Sequence, residues 1–383
     1  MPYDPTPYRS LFPHIRKGTL WLNHAAIGPV TTRTRAAVDE FIANRSEGTI
    51  DEYPEIAALF RDAKNEIGKM IGAPNDRLAF VESASTGLNV LASGLDWKSG
   101  DRIVLNDMEF PGNVVPFLNL KRHGVEIDFI KNNNNVITPE MVEAAITPRT
   151  RLLSISFVQF VSGFKADLKA IGEVCKRHNV VFSVDGIQGL GTTPLNVQEC
   201  GIDFLSTSAH KWLLSMTGTG FIYITHDMQE RIHQRYAGWT SNKNFFSRFF
   251  DYRVDLDDTA RRYEYGSLNS LGIVALKESV ALLNEVGIDD IHRHLLDLTD
   301  RLFEFADAAG LNTVTPRDRT MRSGIVSFTT DHAEPLFNEL KTMNIIVSLR
   351  DGKIRLSPHF YNTMEDIDIC CSAMQSILTG LQL

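Results

Sequence analysis

Val181-Phe182-Ser183-Val184-Asp185-Gly186-Ile187-Gln188, Ser206-Thr207-Ser208-Ala209-His210-Lys211-Trp212 and Gly218-Thr219-Gly220-Phe221-Ile222-Tyr223 fall within residues 180–223. The first is an apolar run ending in Asp185, the second ends in Ser208-Ala209-His210-Lys211, and the third follows a Thr-Gly-Thr-Gly turn. Runs of this length, rich in β-branched residues, read as short strands. Polar residues at the mouths of such strands mark an α/β site, because ligands bind beyond the carboxyl ends of the strands. Lys211 is the chemical centre of this reading.

Working outward, strand and helix patterns alternate. Strands are expected at 78–81, 102–105, 125–130 and 152–158, with helices from about Thr86, from about Asn113, from Thr138-Pro139 and over 168–178. Alternation with crossover-length connections implies a largely parallel sheet covered on both faces. Earlier in the chain, a short strand at 19–22 runs into a turn at Asn23-His24-Ala25-Ala26-Ile27-Gly28-Pro29, and apolar residues at 56, 59, 60, 63, 67, 70 and 71 line one face of a helix over 54–71. After about residue 255 a long helical stretch, 268–308, precedes short strands at 324–329, 345–349 and 353–356, with helices from about Glu334 and Glu365. The expected organisation is an N-terminal arm (1–18) packing with the small domain, a large α/β domain (19–255) and a smaller α+β domain (256–383).

The chain's 383 residues, 43% hydrophobic, suffice for a large core. A net charge of −8, with no long single-sign run, argues against a nucleic-acid groove or an anionic-membrane surface. Residues 1–20 lack a basic start followed by an apolar stretch, and no window approaches eighteen apolar residues, so a cytoplasmic location is expected. Cys175, Cys200, Cys370 and Cys371 have neither disulfide nor zinc spacing, so no metal site is expected.

A lysine at a strand end in apolar surroundings loses part of its preference for the charged form and becomes a nucleophile at lower pH. Taken alone, Lys211 would be an exposed loop lysine. Asp185 on a neighbouring strand, with Gln188 three residues on, changes the reading: a carboxylate facing a pyridine nitrogen keeps it protonated, as carbanion chemistry with pyridoxal phosphate requires.

Val184-Asp185-Gly186-Ile187-Gln188 followed by Ser208-Ala209-His210-Lys211-Trp212 resembles the signature of class V aminotransferases, within the fold-type I pyridoxal-phosphate enzymes. The resemblance covers residues 19–375 and implies pyridoxal 5′-phosphate as cofactor and an amino acid as substrate. It implies that Lys211 forms the internal aldimine, Asp185 pairs with the ring nitrogen, Gln188 contacts the ring hydroxyl, and Ser208 and His210 hold the phosphate. Glu82-Ser83-Ala84-Ser85-Thr86-Gly87-Leu88-Asn89 resembles the phosphate turn, where Ser85 and Thr86 offer hydroxyls and free N–H groups. Phe110, in Asp107-Met108-Glu109-Phe110-Pro111, stands where the family stacks an aromatic on the ring; cysteine desulfurases usually have His there. Where many relatives carry an Asn beside the ring hydroxyl this chain has Phe160, and the resemblance leaves the adjacent Gln159 to substitute for it. Gly266-Ser267-Leu268-Asn269 resembles a turn whose hydroxyl reaches the phosphate of the neighbouring subunit, implying a homodimer. Arg355 would grip the substrate's α-carboxylate through paired hydrogen bonds, and Asn23, His24 and Ala25 resemble a turn facing the substrate.

Two departures narrow the chemistry. Between Ser323 and Arg355 there is no cysteine, which disfavours desulfuration through a persulfide relay, and Phe110 cannot shuttle protons, which leaves Lys211 as the main proton carrier. Transamination, β-elimination and epimerisation remain open, and the isopenicillin N epimerase-like branch looks nearest because of the early Leu-Asn-His turn and the aromatic after Glu109. Two readings lie outside this class. A nicotinamide dehydrogenase, suggested by Gly189-Leu190-Gly191, is disfavoured by Pro194 where a third glycine should stand. A catalytically silent relative is disfavoured because every candidate cofactor ligand is present.

Overall fold

A computed structural model describes residues 3–49, 54–247 and 249–381. Residues 1–2 of the expected arm and 382–383 of the expected small domain lie outside them. A short strand, β1 (Leu20–Trp21), precedes a seven-stranded sheet made of β2 (Leu78–Val81), β3 (Arg102–Asn106), β4 (Glu126–Ile130), β5 (Thr150–Ser156), β6 (Val181–Asp185), β7 (Phe204–Ser208) and β8 (Gly220–Ile224). Their order across the sheet is β2-β8-β7-β6-β5-β3-β4. The pairs β3/β4, β3/β5, β5/β6 and β6/β7 are parallel, and only β8 runs against its two neighbours.

The central strands β6, β7 and β8 are buried at every position, as near-continuous apolar runs must be when both faces are covered. Because β3, β5, β6 and β7 run in one direction, Asn106, Ser156, Asp185 and Ser208 all end on the same edge of the sheet. The helix Ala84–Gly94 starts at that edge, capped by Ser83, whose hydroxyl accepts the Thr86 N–H. It lies close against the sheet through Gly87, where a Cβ would meet Ser206 Oγ at 2.2 Å and Ile222 at 2.5 Å.

A second, antiparallel sheet follows in the chain: β9 (Asn312–Thr313), β10 (Val326–Thr329), β12 (Ser348–Arg350) and β13 (Lys353–Leu356), in the order β12-β13-β10-β9. Its register sets Arg355 between Ser348 and Ser327. β1 pairs in parallel with β11 (Ile345–Ile346), and Asn23 bridges to Ser357, so the N-terminal strand extends the C-terminal part of the chain. The segment before it is fastened there too: Arg9 pairs with Asp366 at 2.7 Å, and Phe12 stacks on Tyr361 with ring centroids 3.6 Å apart.

Local details differ from the sequence reading for identifiable reasons. The helical stretch expected over 268–308 is two helices, Ser270–Val286 and Ile288–Ala308, separated by Gly287 at φ 91°, a backbone angle that favours glycine. The strand expected at 345–349 is two, β11 and β12, on different sheets. In place of one helix from Asn113 there is a short α-helical turn, Val115–Leu118, that tightens into a 3-10 helix over Asn119–His123. A helix over Thr32–Ser46 had no clean apolar period to reveal it, since only Thr34 and Val38 are buried; its one signal was the Thr31 cap bonding the Thr34 N–H.

The turn after β1 joins the two sheets. Gly28 donates its N–H to the His210 carbonyl at 2.8 Å, and a Cβ at Gly28 would lie 2.2 Å from the Lys211 carbonyl oxygen. Gly28→Ala must therefore push the turn off the Lys211 backbone. It is expected to cost about 1–3 kcal/mol, the usual range for overpacking, read as a lower midpoint in urea. An unchanged midpoint would show that the turn is free to move.

Candidate active site

Lys211 follows β7 by three residues and is half-buried, with its Nζ 5.6 Å from the centroid of the Phe110 ring. Burial lowers its pKa from 10.5 to about 8; the charges of Arg355 and Arg350 lower it further, and Asp185 opposes them. Asp185 closes β6 and is 3% exposed. One of its oxygens accepts the Ile187 N–H at 2.9 Å, and among the described residues no donor meets the other. Burial raises its pKa to about 6, against the Ile187 hydrogen bond, and the nearby Glu109 carboxylate adds to the rise.

Ser208, at the end of β7, accepts the Ala84 N–H at 2.7 Å, tying the strand to the first turn of the helix Ala84–Gly94. In that turn the Thr86 N–H and hydroxyl face Ser83 Oγ, both at 3.1 Å, whereas Ser85 is exposed. A Cβ at Gly112 would lie 3.4 Å from Ser85 Oγ, so this turn and the Phe110 turn meet. His210 is half-buried; burial and the adjacent Lys211 lower its pKa.

Arg355 is 1% exposed. Its Nη1 donates to the Phe160 carbonyl at 2.6 Å and its Nη2 to Ser348 Oγ at 3.3 Å, while its Nε has no partner. Ser348 in turn donates to Asn23 Oδ1. Among the described residues no carboxylate pairs with Arg355, and burial, then Arg350, pulls its pKa down to about 9. A buried guanidinium without an anion is costly, and a planar carboxylate is the group that would relieve it.

Several expected ligands are engaged by the protein itself. The Gln188 amide donates to the Ala25 carbonyl at 3.0 Å and accepts from the Trp212 indole at 2.7 Å. His24 is fully buried, with its ring nitrogens on the Ser357 carbonyl (2.8 Å) and the Tyr361 hydroxyl (3.0 Å), which corrects the expectation that it faces a substrate: neither nitrogen is left for one. Burial and the neighbouring His359 hold it well below the usual histidine pKa. Ala25 is 1% exposed, its N–H on Ser357 Oγ and its carbonyl on Gln188, so its backbone is spent as well. Asn23 reaches Arg355 only through Ser348. Ser267 is exposed and stands apart from Lys211, lining a cavity of about 890 Å³ with Phe60, Lys64, Trp239 and Arg261.

Sequence reasoning quoted Glu109 without giving it a role and passed over Ser348. Nothing in the local sequence marks either as buried; their positions follow from the loop after β3 and the register of β12 on β13.

With this geometry in hand, comparison with known proteins is decisive. The family model for aminotransferase class V matches residues 25–370. The chain belongs to that family. This class V aminotransferase-family enzyme is 28% identical to an uncharacterized aminotransferase, YcbU, of Bacillus subtilis, over 96% of each chain. It is 27% identical to isopenicillin N epimerase of Streptomyces clavuligerus, over 94% of each. Its fold superposes on a cysteine desulfurase from Thermococcus onnurineus with a TM-score of 0.90, covering 99% of this chain and 100% of that one, at 22% identity. As a family member it is a pyridoxal 5′-phosphate-dependent enzyme with an amino acid as substrate. Among the described residues no helix is long and apolar enough to cross a membrane, and no His, Cys, Asp and Glu cluster could hold a metal.

Proposed function

We propose that this enzyme works at Cα of an amino acid with Lys211 as its single proton carrier, carrying out transamination, or β-elimination where the substrate bears a leaving group at Cβ. The observation that carries the reading is a desolvated Lys211 beside a buried Asp185, with the anion-free Arg355 close enough to depress it. Pyridoxal phosphate, when bound, supplies the electron sink for the pair left as a bond to Cα breaks. The residues fit it. Asp185 has one oxygen that no donor meets among the described residues, which would accept a ring N–H. Ser85 and Thr86 lie in the first turn of a helix whose N-terminus Ser208 meets, a setting suited to a phosphate, and His210 follows Ser208 by two residues. Phe110 offers a ring face beside Lys211, and Gln159 an unpaired amide oxygen. Gln188, tied to Trp212 and Ala25, orients the floor rather than spending its whole amide on the ring.

Arg355 takes the substrate carboxylate and thereby fixes which Cα bond stands nearest Lys211. Lys211 removes the Cα proton; for transamination it would hand that proton, on the same face, to the cofactor carbon that carries the amino nitrogen, and for β-elimination to the departing β-substituent. Epimerisation needs a second acid on the opposite face, and Phe110 does not supply one. A persulfide relay is disfavoured in turn: Cys370 and Cys371 are buried in the helix Met364–Leu381, and burial pushes both thiols up, Cys371 to about 11. All four cysteines are free, which supports a reducing, cytoplasmic setting.

The same reading includes the domain division at 255/256 and a homodimer in which Ser267 serves the neighbouring subunit. The dimer is supported by the apolar surface near Ser267, where Tyr236, Phe249, Phe250, Tyr252 and Val254 are 59–88% exposed.

Incubating the holoenzyme with a panel of amino acids tests the chemistry. A keto acid with conversion of the cofactor to its amine form is expected, or pyruvate with a released β-substituent; solvent deuterium at Cα with inversion and no net product would contradict this chemistry. Arg355→Met is expected to raise KM for the amino acid by roughly a hundredfold or more, the scale of a lost charge-assisted carboxylate contact; an unaltered KM would remove Arg355 from substrate binding. Only the neutral amine of Lys211 attacks a carbonyl. Cofactor capture by the apoprotein should therefore accelerate with pH up to about 8 and then level off. A rise continuing toward 10.5 would mean that Lys211 is solvated.

A further inference from the structure

Glu109 sits in the loop between β3 and the Phe110 turn, 9% exposed. Its Oε1 accepts hydrogen bonds from Asn106 Nδ2 at 2.6 Å, the Ser156 N–H at 2.8 Å and Gln159 Nε2 at 2.8 Å. Its Oε2 accepts from Asn113 Nδ2 at 3.0 Å and Ser156 Oγ at 2.5 Å. Five donors from three stretches of chain converge on it, and among the described residues no cation pairs with it. Five donors around two oxygens suit a carboxylate and leave an amide's NH₂ without an acceptor.

Two consequences follow from where those donors sit. Ser156, which gives Glu109 both its N–H and its hydroxyl, is the residue in register with Asp185 on the neighbouring strand. Glu109 therefore lies one strand away from Asp185 on the same sheet edge. Gln159 must turn its amide nitrogen to Glu109, because a carbonyl oxygen there would face a carboxylate oxygen. Its own oxygen is then the free end, and it is buried without a partner. Gln159 lies between the residues that frame the site: Phe160 packs edge-on against Phe110 at 5.2 Å, and the Phe160 carbonyl receives Arg355.

We propose that Glu109 is a positioning residue for the cofactor, fixing Gln159 as a hydrogen-bond acceptor toward the pocket and keeping a second negative charge beside Asp185. This rests on the pyridoxal phosphate reading of the site. Gln159 thus favours a proton-bearing group opposite its oxygen, and the paired charges of Glu109 and Asp185 favour the protonated forms of nearby cofactor nitrogens.

The test is a pH titration of the visible cofactor band in purified holoenzyme, run for wild type, Glu109→Gln, Glu109→Asp and Gln159→Met. Loss of a negative charge makes a nearby protonated nitrogen easier to deprotonate, so Glu109→Gln should lower the band's pH midpoint by about half a unit to one unit. Glu109→Asp, which keeps the charge, should restore most of it. Gln159→Met leaves Glu109 in place and should weaken cofactor retention several-fold; it also reports on the network if Glu109→Gln fails to fold. The inference is overturned if Glu109→Gln titrates like wild type, if the Gln and Asp variants shift alike, or if Gln159→Met retains cofactor as wild type does. A wild-type protein with no visible band would instead defeat the cofactor reading itself.

Discussion

Desolvation of Lys211 and Asp185 at one edge of the seven-stranded sheet, and of Arg355 on the second sheet, is the constraint on which the rest of the site depends. Each charge taken from water costs several kcal/mol unless a partner compensates it. Among the described residues the partners are incomplete: Asp185 has one hydrogen-bonded oxygen, no carboxylate pairs with Arg355, and Lys211 has an aromatic face in place of a carboxylate. A folded chain holds such groups only because the surrounding sheets leave them nowhere else to go. The missing partners match the charge pattern of a pyridoxal phosphate bearing an amino acid.

The scaffold that enforces this is a junction between distant parts of the chain. The turn after β1 is held by Ser357 on one side and by the His210 carbonyl on the other, while Asn23 and Ser348 brace Arg355. His24, Trp212, His359 and Tyr361 fill the space behind it as a packed aromatic layer, with the His359 ring on the Trp212 carbonyl at 2.9 Å. The N-terminal turn therefore acts as a clasp between the two sheets. Its polar atoms are used to hold Lys211 and Arg355 in place, not to meet a ligand directly.

How much of this was legible in the sequence depended on periodicity. Strands β6 and β8 announced themselves as short, mostly apolar runs, and β7, Phe-Leu-Ser-Thr-Ser, by its apolar start and β-branched Thr207; Asp185 and Ser208 stood at strand ends and Lys211 three residues beyond. The break at Gly287 was harder, because apolar spacing continues through it and only the backbone angle changes. The helix Thr32–Ser46 was invisible for the opposite reason: it buries too little to leave a period. Within the site, residue types were readable but directions were not. Nothing in Asn-His-Ala-Ala shows that His24 points inward, and nothing in Asp-Met-Glu-Phe shows that Glu109 gathers five donors from three stretches of chain. Such facts are set by the parallel register of β5 on β6 and by loop packing, which are properties of the assembled sheet.

The most direct measurement of the central claim is to reduce the holoenzyme with borohydride, digest it, and locate the pyridoxyl group by mass spectrometry. A single modified peptide carrying the group on Lys211 is expected. A group fixed on another lysine, or none at all in protein that retains the cofactor, would contradict it.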